Sequence, residues 1–176
     1  ISEGLARNVI SASFNGTTIE TATPLTTDGS LVLYTWNDNE GKKAFWHSTS
    51  HVMAQALEEM FPGIKLTIGP AIDNGFYYDV DFGDKRITDA DFKAIEARVL
   101  EISKEKHEFK MRSATKAEAW ELYKNNEYKT ELITNLEDGT ITFCDHSTFT
   151  DLCRGGHIPN TGIIKAMKIL SVAGAY

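Results

Sequence analysis

Two short β-prone runs, Ser11-Ala12-Ser13-Phe14 and Thr17-Thr18-Ile19-Glu20, flank Asn15-Gly16 near the start of the chain. Asn-Gly between such runs predicts a hairpin, because both turn residues must adopt positive φ. Residues 31–36, Leu-Val-Leu-Tyr-Thr-Trp, read as a further strand. Three strands are too few to close a core alone. The polar stretch 37–43 reads as a linker. A helical period takes over near Ala44. At about 100° per residue Phe45, Val52, Met53, Ala56, Leu57 and Met60 fall on one side. Pro62-Gly63 ends that helix by Phe61. Residues 65–68 and 76–82 read as strands around an Asp73-Asn74-Gly75 turn. Thr88 can cap a helix over 89–106 with Asp91 in its first turn, and Thr115 with Glu118 forms a capping box for another. Further β-prone runs lie near 140–144, 148–152 and 163–172. Helices and strands mix without βαβ regularity. The pattern predicts an α+β fold, a mostly antiparallel sheet packed with helices, preceded by a small β-rich unit.

Composition narrows the class. The chain has 176 residues, 41% hydrophobic and 24% charged, the balance of a folded domain rather than of a disordered chain. No run approaches the roughly 18 apolar residues of a membrane span. Two cysteines cannot build a disulfide framework and no secretory signal opens the sequence, so a reducing, cytoplasmic setting is expected. The formal net charge of -7 argues against DNA coating and against binding to anionic membranes. Residues 93–116 nevertheless carry seven basic residues against four glutamates, a local surplus that could meet phosphates or simply face solvent. The opening Ile1 and the abrupt end suggest a piece of a longer polypeptide.

The candidate chemistry sits in two places. His47-Ser48-Thr49-Ser50-His51 puts two imidazoles one helical turn apart, roughly opposite the apolar stripe and beside Ala54 and Glu58. That face must meet either solvent or a separate cleft. Far along the chain, Asp151-Leu152-Cys153-Arg154-Gly155-Gly156-His157 places a thiol and an imidazole around two glycines, a tight loop rather than a helix interior. Four such groups could fill a tetrahedral zinc shell. They could equally line a titratable cleft in which neutral imidazoles relay protons. Alone, each motif has a bland reading as a solvated pair or an ordinary loop. Together they hold four of the seven His and Cys residues of the chain. His107 and His146 match no partner spacing and suit surface or core roles, and Cys144 suits a small buried hydrophobe. A zincin-type peptidase is set aside, since Ser48 stands where that chemistry uses glutamate.

His47 to His51, the run Ile68-Gly69-Pro70-Ala71-Ile72-Asp73-Asn74-Gly75-Phe76-Tyr77-Tyr78-Asp79, the run Asp151 to Pro159 and the closing Ala173-Gly174-Ala175-Tyr176 together resemble the N-terminal region of the bacterial threonyl-tRNA synthetase family. The resemblance implies a partial, ubiquitin-like TGS domain over 1–36, a linker over 37–43, and over 44–176 the editing domain shared with alanyl-tRNA synthetases. The class II catalytic domain and the anticodon-binding domain would lie beyond Tyr176. ATP and a catalytic zinc therefore belong to the intact enzyme, which the resemblance implies is a homodimer.

What the resemblance implies for function is proofreading. Serine differs from threonine by one missing methyl, a difference worth about 1–3 kcal/mol to a binding site. A second site must then hydrolyse the seryl ester on the 3′ end of tRNA(Thr). Carried over residue by residue, the implied catalytic set is His47, His51, Lys129, Asp151, Cys153 and His157, with Tyr78, Gly155 and Gly156 on the substrate. His157 or His47 would accept a proton from water, with Lys129 positioning groups or protonating the leaving group. Asp151 would orient a histidine or bind the ammonium group. Tyr78 would contact the terminal adenosine or the aminoacyl group, and the Gly155 and Gly156 N–H groups would stabilise the oxyanion. Gly156 departs from the family, where many relatives have proline. No metal is required for editing on this reading. The alternative is a zinc-stabilised structural or RNA-interaction module with His47, His51, Cys153 and His157 as ligands.

Overall fold

Asn15 and Gly16 take φ of 49° and 79°, the left-handed pair that a two-residue hairpin needs. In the computed structural model, which describes residues 2–174, they join β1 (Ser11–Phe14) to β2 (Thr17–Ile19). β3 (Leu31–Tyr34) pairs antiparallel with the other edge of β1. The predicted hairpin and third strand are thus present. Ahead of them the pattern missed a short helix, α1 (Glu3–Asn8), which Ser2 caps by accepting from Leu5 N. Ala175 and Tyr176 of the closing motif lie outside the described residues.

The central element is α2 (Asn39–Met60). It starts five residues before Ala44, so most of the expected linker over 37–43 is helix. Polarity there marks a helix start rather than a tether. Asp38 Oδ2 accepts from Thr35 N at 2.7 Å and from Thr35 Oγ1 at 3.0 Å, which turns the chain straight from β3 into α2. Val52, Ala56 and Ala44 enter one core cluster with Ile10, Val99, Ile102, Cys144 and Ile158. Five successive residues, Ser48 to Val52, are buried, so α2 is enclosed on both its apolar and its polar side.

Around this helix the remaining elements are short. β4 (Lys65–Leu66) pairs with β7 (Val80–Asp81), and β5 (Ala71–Ile72) with β6 (Gly75–Phe76). They form the predicted hairpin, broken at Gly69-Pro70, where a Cβ on Gly69 would lie 2.1 Å from the Tyr78 ring. α3 (Asp89–Lys104), with the Thr88–Asp91 capping box, packs along α2. β8 (Lys110–Ser113) follows, then α4 (Lys116–Tyr123) behind the Thr115–Glu118 box, and α5 (Glu127–Thr134). β9 (Thr142–His146) lies between β8 and β10 (Phe149–Leu152) in an antiparallel sheet. The α+β expectation holds, and every strand pair is antiparallel. The strand expected within 163–172 does not form among the described residues. A 3-10 turn (Thr161–Ile163) and an irregular segment replace it. Its polar groups turn to α3 instead: Ile169 N donates to Glu96 Oε1. Among the described residues no helix is long and apolar enough to cross a membrane.

The junction from β3 to α2 yields a test. A Cβ on Gly41 would stand 2.0 Å from the Thr35 carbonyl oxygen, a backbone atom that cannot swing away. Gly41→Ala should therefore cost about 1–3 kcal/mol, measured by denaturant unfolding. A variant as stable as the parent contradicts this packing.

Candidate functional site

The two distant motifs meet. His47 and His51 on α2 and Cys153 and His157 on the loop after β10 bring one ligand atom each to within 4.8 Å of one another. Cys153 Sγ lies 3.1 Å from His157 Nε2 and 3.5 Å from His47 Nε2. The His47 and His157 rings stack at 4.4 Å, and His51 stands edge-on to both at 4.8 and 4.6 Å. Of the two options left open for the polar face of α2, solvent is not the one taken: the histidine pair packs against the loop. His51, Cys153 and His157 are buried, and only His47 keeps partial access to solvent.

The loop is built for this approach. Gly155 and Gly156 have φ of 86° and 83°, a conformation that glycine adopts without strain. Each N–H of the turn has a partner. Gly155 N donates to Cys153 Sγ at 3.2 Å, Gly156 N to Glu20 Oε1 at 2.9 Å and His157 N to Glu20 Oε2 at 3.2 Å. Ile158 N donates to Ser48 Oγ at 3.0 Å, and the same hydroxyl lies 3.0 Å from His157 Nδ1. The Gly155 and Gly156 N–H groups, expected to meet an oxyanion, both donate within the protein in this structure. Ser48 thus ties the ring to the loop: its oxygen accepts from Ile158 N and keeps a second lone pair and a proton, either of which can meet His157 Nδ1.

A second polar group adjoins the first. Asp151 Oδ1 accepts from Lys129 Nζ and from Leu152 N, while Oδ2 accepts from Tyr78 Oη at 2.6 Å and lies 3.8 Å from His51 Nε2. Lys129 is 1% exposed and Asp151 3%, so this is a buried ion pair with its remaining valences filled. Lys129 comes from α5, a helix that the pattern did not predict, although Asn126 caps it by accepting from Lys129 N. Tyr78 turns its hydroxyl inward to Asp151, which leaves its ring, not its oxygen, for any ligand. Asp151 thus pairs with Lys129 and Tyr78 and lies 3.8 Å from His51 Nε2.

Comparison with known proteins decides the kinship. Over all 176 residues the chain is 82% identical to the threonine–tRNA ligases of Flavobacterium psychrophilum and Flavobacterium johnsoniae, and 55% identical over 178 aligned residues to that of Parabacteroides distasonis. It spans 27% of the length of each. The family described as "Threonyl and Alanyl tRNA synthetase second additional domain" matches residues 141–174, which include Cys153 and His157. Along its whole length the chain is similar to one segment of the threonine–tRNA ligases. The resemblance read from the residues is thereby shown.

Within the cluster, burial sets the protonation. Desolvation holds His51 and His157 well below the ordinary histidine range, and the neighbouring imidazoles push the same way. His47 is lowered by burial against the pull of Asp151. All three are neutral near pH 7. Burial pushes the Cys153 thiol up to about 12, so it is protonated in the metal-free cluster. His146, missed as a neighbour of the site, is 2% exposed and has no partner on either ring nitrogen. It packs between Phe109 and Phe149, 6.4 Å from His51, and burial lowers it to about 4. Cys144 is core and His107 meets Glu105 near the surface, as expected. Three imidazoles and one thiol are a donor set that zinc accepts, and the Ser48 bond to His157 Nδ1 would then act as outer-shell support.

These shifts set a pH dependence. Each ring binds a proton near 6.5 in the unfolded chain but only at lower pH in the fold. The unfolded state therefore holds more protons in between. Stability is complete above pH 7 and declines as pH falls below 6.5. His146 alone contributes a loss of about 3 kcal/mol by pH 4. Denaturant unfolding from pH 7.5 to 4.5 should show the decline, and His146→Phe should make it shallower. An unchanged slope in that variant contradicts the assignment.

Proposed function

We propose that this segment is the proofreading hydrolase of a threonyl-tRNA synthetase and cleaves the seryl ester from the 3′ end of tRNA(Thr). The observation that carries the reading is the convergence of His47, His51, Cys153 and His157 from two distant stretches into one cleft. The names of the relatives supply the tRNA, and the tRNA synthetase family matched over 141–174 supplies the setting. On this reading residues 1–36 are the end of a TGS-like unit and 44–176 the editing domain.

The division of labour follows from exposure. His47 is neutral and is the one imidazole of the cluster with partial access, so it accepts the proton of the attacking water. His157 is locked between Ser48 and Cys153 and shapes the wall that His47 stacks on. Lys129, fixed by Asp151, puts positive charge beside the cleft, where developing negative charge on the ester oxygen needs it. A close wall excludes threonine by its extra methyl, the discrimination that a synthetic site cannot achieve by affinity. No metal is needed for these steps.

A second reading has its own support in the four ligand atoms lying within 4.8 Å: a zinc-held module that binds RNA without catalysis. When bound, zinc would fix the four side chains and supply Lewis-acid character. The measurement that separates the two readings is deacylation of seryl-tRNA and threonyl-tRNA by this chain, with and without chelator. Hydrolysis predicts rapid loss of serine only, in chelator too, and a fall of about a hundredfold or more in His47→Ala with folding retained. Melting on chelation without any ester loss favours the zinc module.

A further inference from the structure

Glu20 appears in no motif that pointed to the site, yet its carboxylate is bound to it. It follows β2 directly, on a hairpin whose partner strand β1 is anchored by Ile10 and Ala12 in the buried interior. From there it reaches the loop after β10. Its Oε1 accepts from Gly156 N at 2.9 Å and its Oε2 from His157 N at 3.2 Å. Glycine at the bend permits this approach: a Cβ on Gly155 would come within 3.0 Å of Glu20 Oε1. A Cβ on Gly156 would meet Thr18 Cγ2 at 3.6 Å. Thr18 and Glu20 are two residues apart, so one face of the hairpin lies along the turn.

We propose that Glu20 is a positioning residue of the site, one carboxylate gripping two successive N–H groups to hold the turn that presents Cys153 and His157 to His47. The inference rests on the hydrolytic reading above and extends it to the small N-terminal unit. Two consecutive glycines at positive φ give the loop little stiffness of its own. Of its four successive N–H groups, from Gly155 to Ile158, one goes to Cys153, one to Ser48 and two to Glu20. Hydrogen bonds to an ionised acceptor are the stronger kind, and this acceptor directly follows the paired strand β2. Cys153 and His157 flank the gripped segment, so a loosened turn shifts the thiol and the imidazole together. Misplacing reacting groups by about 1 Å costs rate far more than binding.

The test uses the whole chain with Glu20→Ala and Glu20→Gln. Three quantities are read: backbone amide exchange, maleimide labelling of Cys153, and seryl-tRNA hydrolysis resolved into kcat and KM. In Glu20→Ala, exchange at Gly156 and His157 should rise roughly tenfold or more, while Val52 and Val99 in the core stay protected. Cys153 should label faster. kcat should fall about tenfold or more with KM within about twofold. Glu20→Gln keeps one acceptor oxygen and should fall between wild type and Glu20→Ala on every readout. Unchanged exchange at both amides overturns the grip, and raised exchange with unchanged kcat overturns the positioning role. If Glu20→Ala does not fold, the isosteric Glu20→Gln decides, and wild-type values throughout refute the proposal. A wild-type chain without seryl hydrolysis sinks the hydrolytic reading separately, because exchange and labelling still judge the grip.

Discussion

Ser48 is where the two halves of the site meet. Its buried hydroxyl takes the Ile158 N–H and reaches His157 Nδ1, joining positions more than a hundred residues apart. Neither group has water to fall back on, and leaving a buried polar group unpaired costs about 1–3 kcal/mol. That cost makes the register between α2 and the loop specific. An apolar contact would tolerate a slip along the helix; a hydroxyl shared between an amide and one ring nitrogen does not. Once the register is set, His47, His51, Cys153 and His157 meet in one arrangement.

Enclosure then decides the chemistry. Removing the rings from water disfavours their charged forms, so the cluster stays neutral where free imidazoles are partly protonated. A neutral imidazole is a proton acceptor, and the same state is required of a metal ligand. The permanent charges nearby are kept as a pair: Lys129 and Asp151 satisfy each other, with Tyr78 and Leu152 filling the remaining oxygen valences. Positive charge is thereby held beside the cleft without an uncompensated buried ion.

Much of this was legible in the residues. The His-x3-His spacing, the polar face it occupies and the double glycine before His157 marked the candidate groups, and left solvent or a cleft open for the histidine pair. Lys129 was legible only through the family resemblance. Its helix is eight residues long with a weak apolar stripe, and the Asn126 cap was the one local signal. Ser48 was passed over because serine between two histidines looks like filler until its partners are known. Glu20 could not have been found, since its bonds run to backbone N–H groups that carry no side-chain signature. The same blindness to tertiary partners explains the misread segment at 37–43, where a polar helix start looks like a tether. It also explains 163–172, where β propensity met no strand edge among the described residues.

Enclosure is what keeps the histidine cluster neutral at pH 7. Long-range nitrogen–proton NMR of the histidine rings, on metal-stripped protein titrated from pH 8 to 5, observes this directly. The expected result is neutral His47, His51, His146 and His157 at pH 7, with no protonation of His51 or His157 near the ordinary histidine value. An imidazolium at His51 or His157 at pH 7 would contradict it.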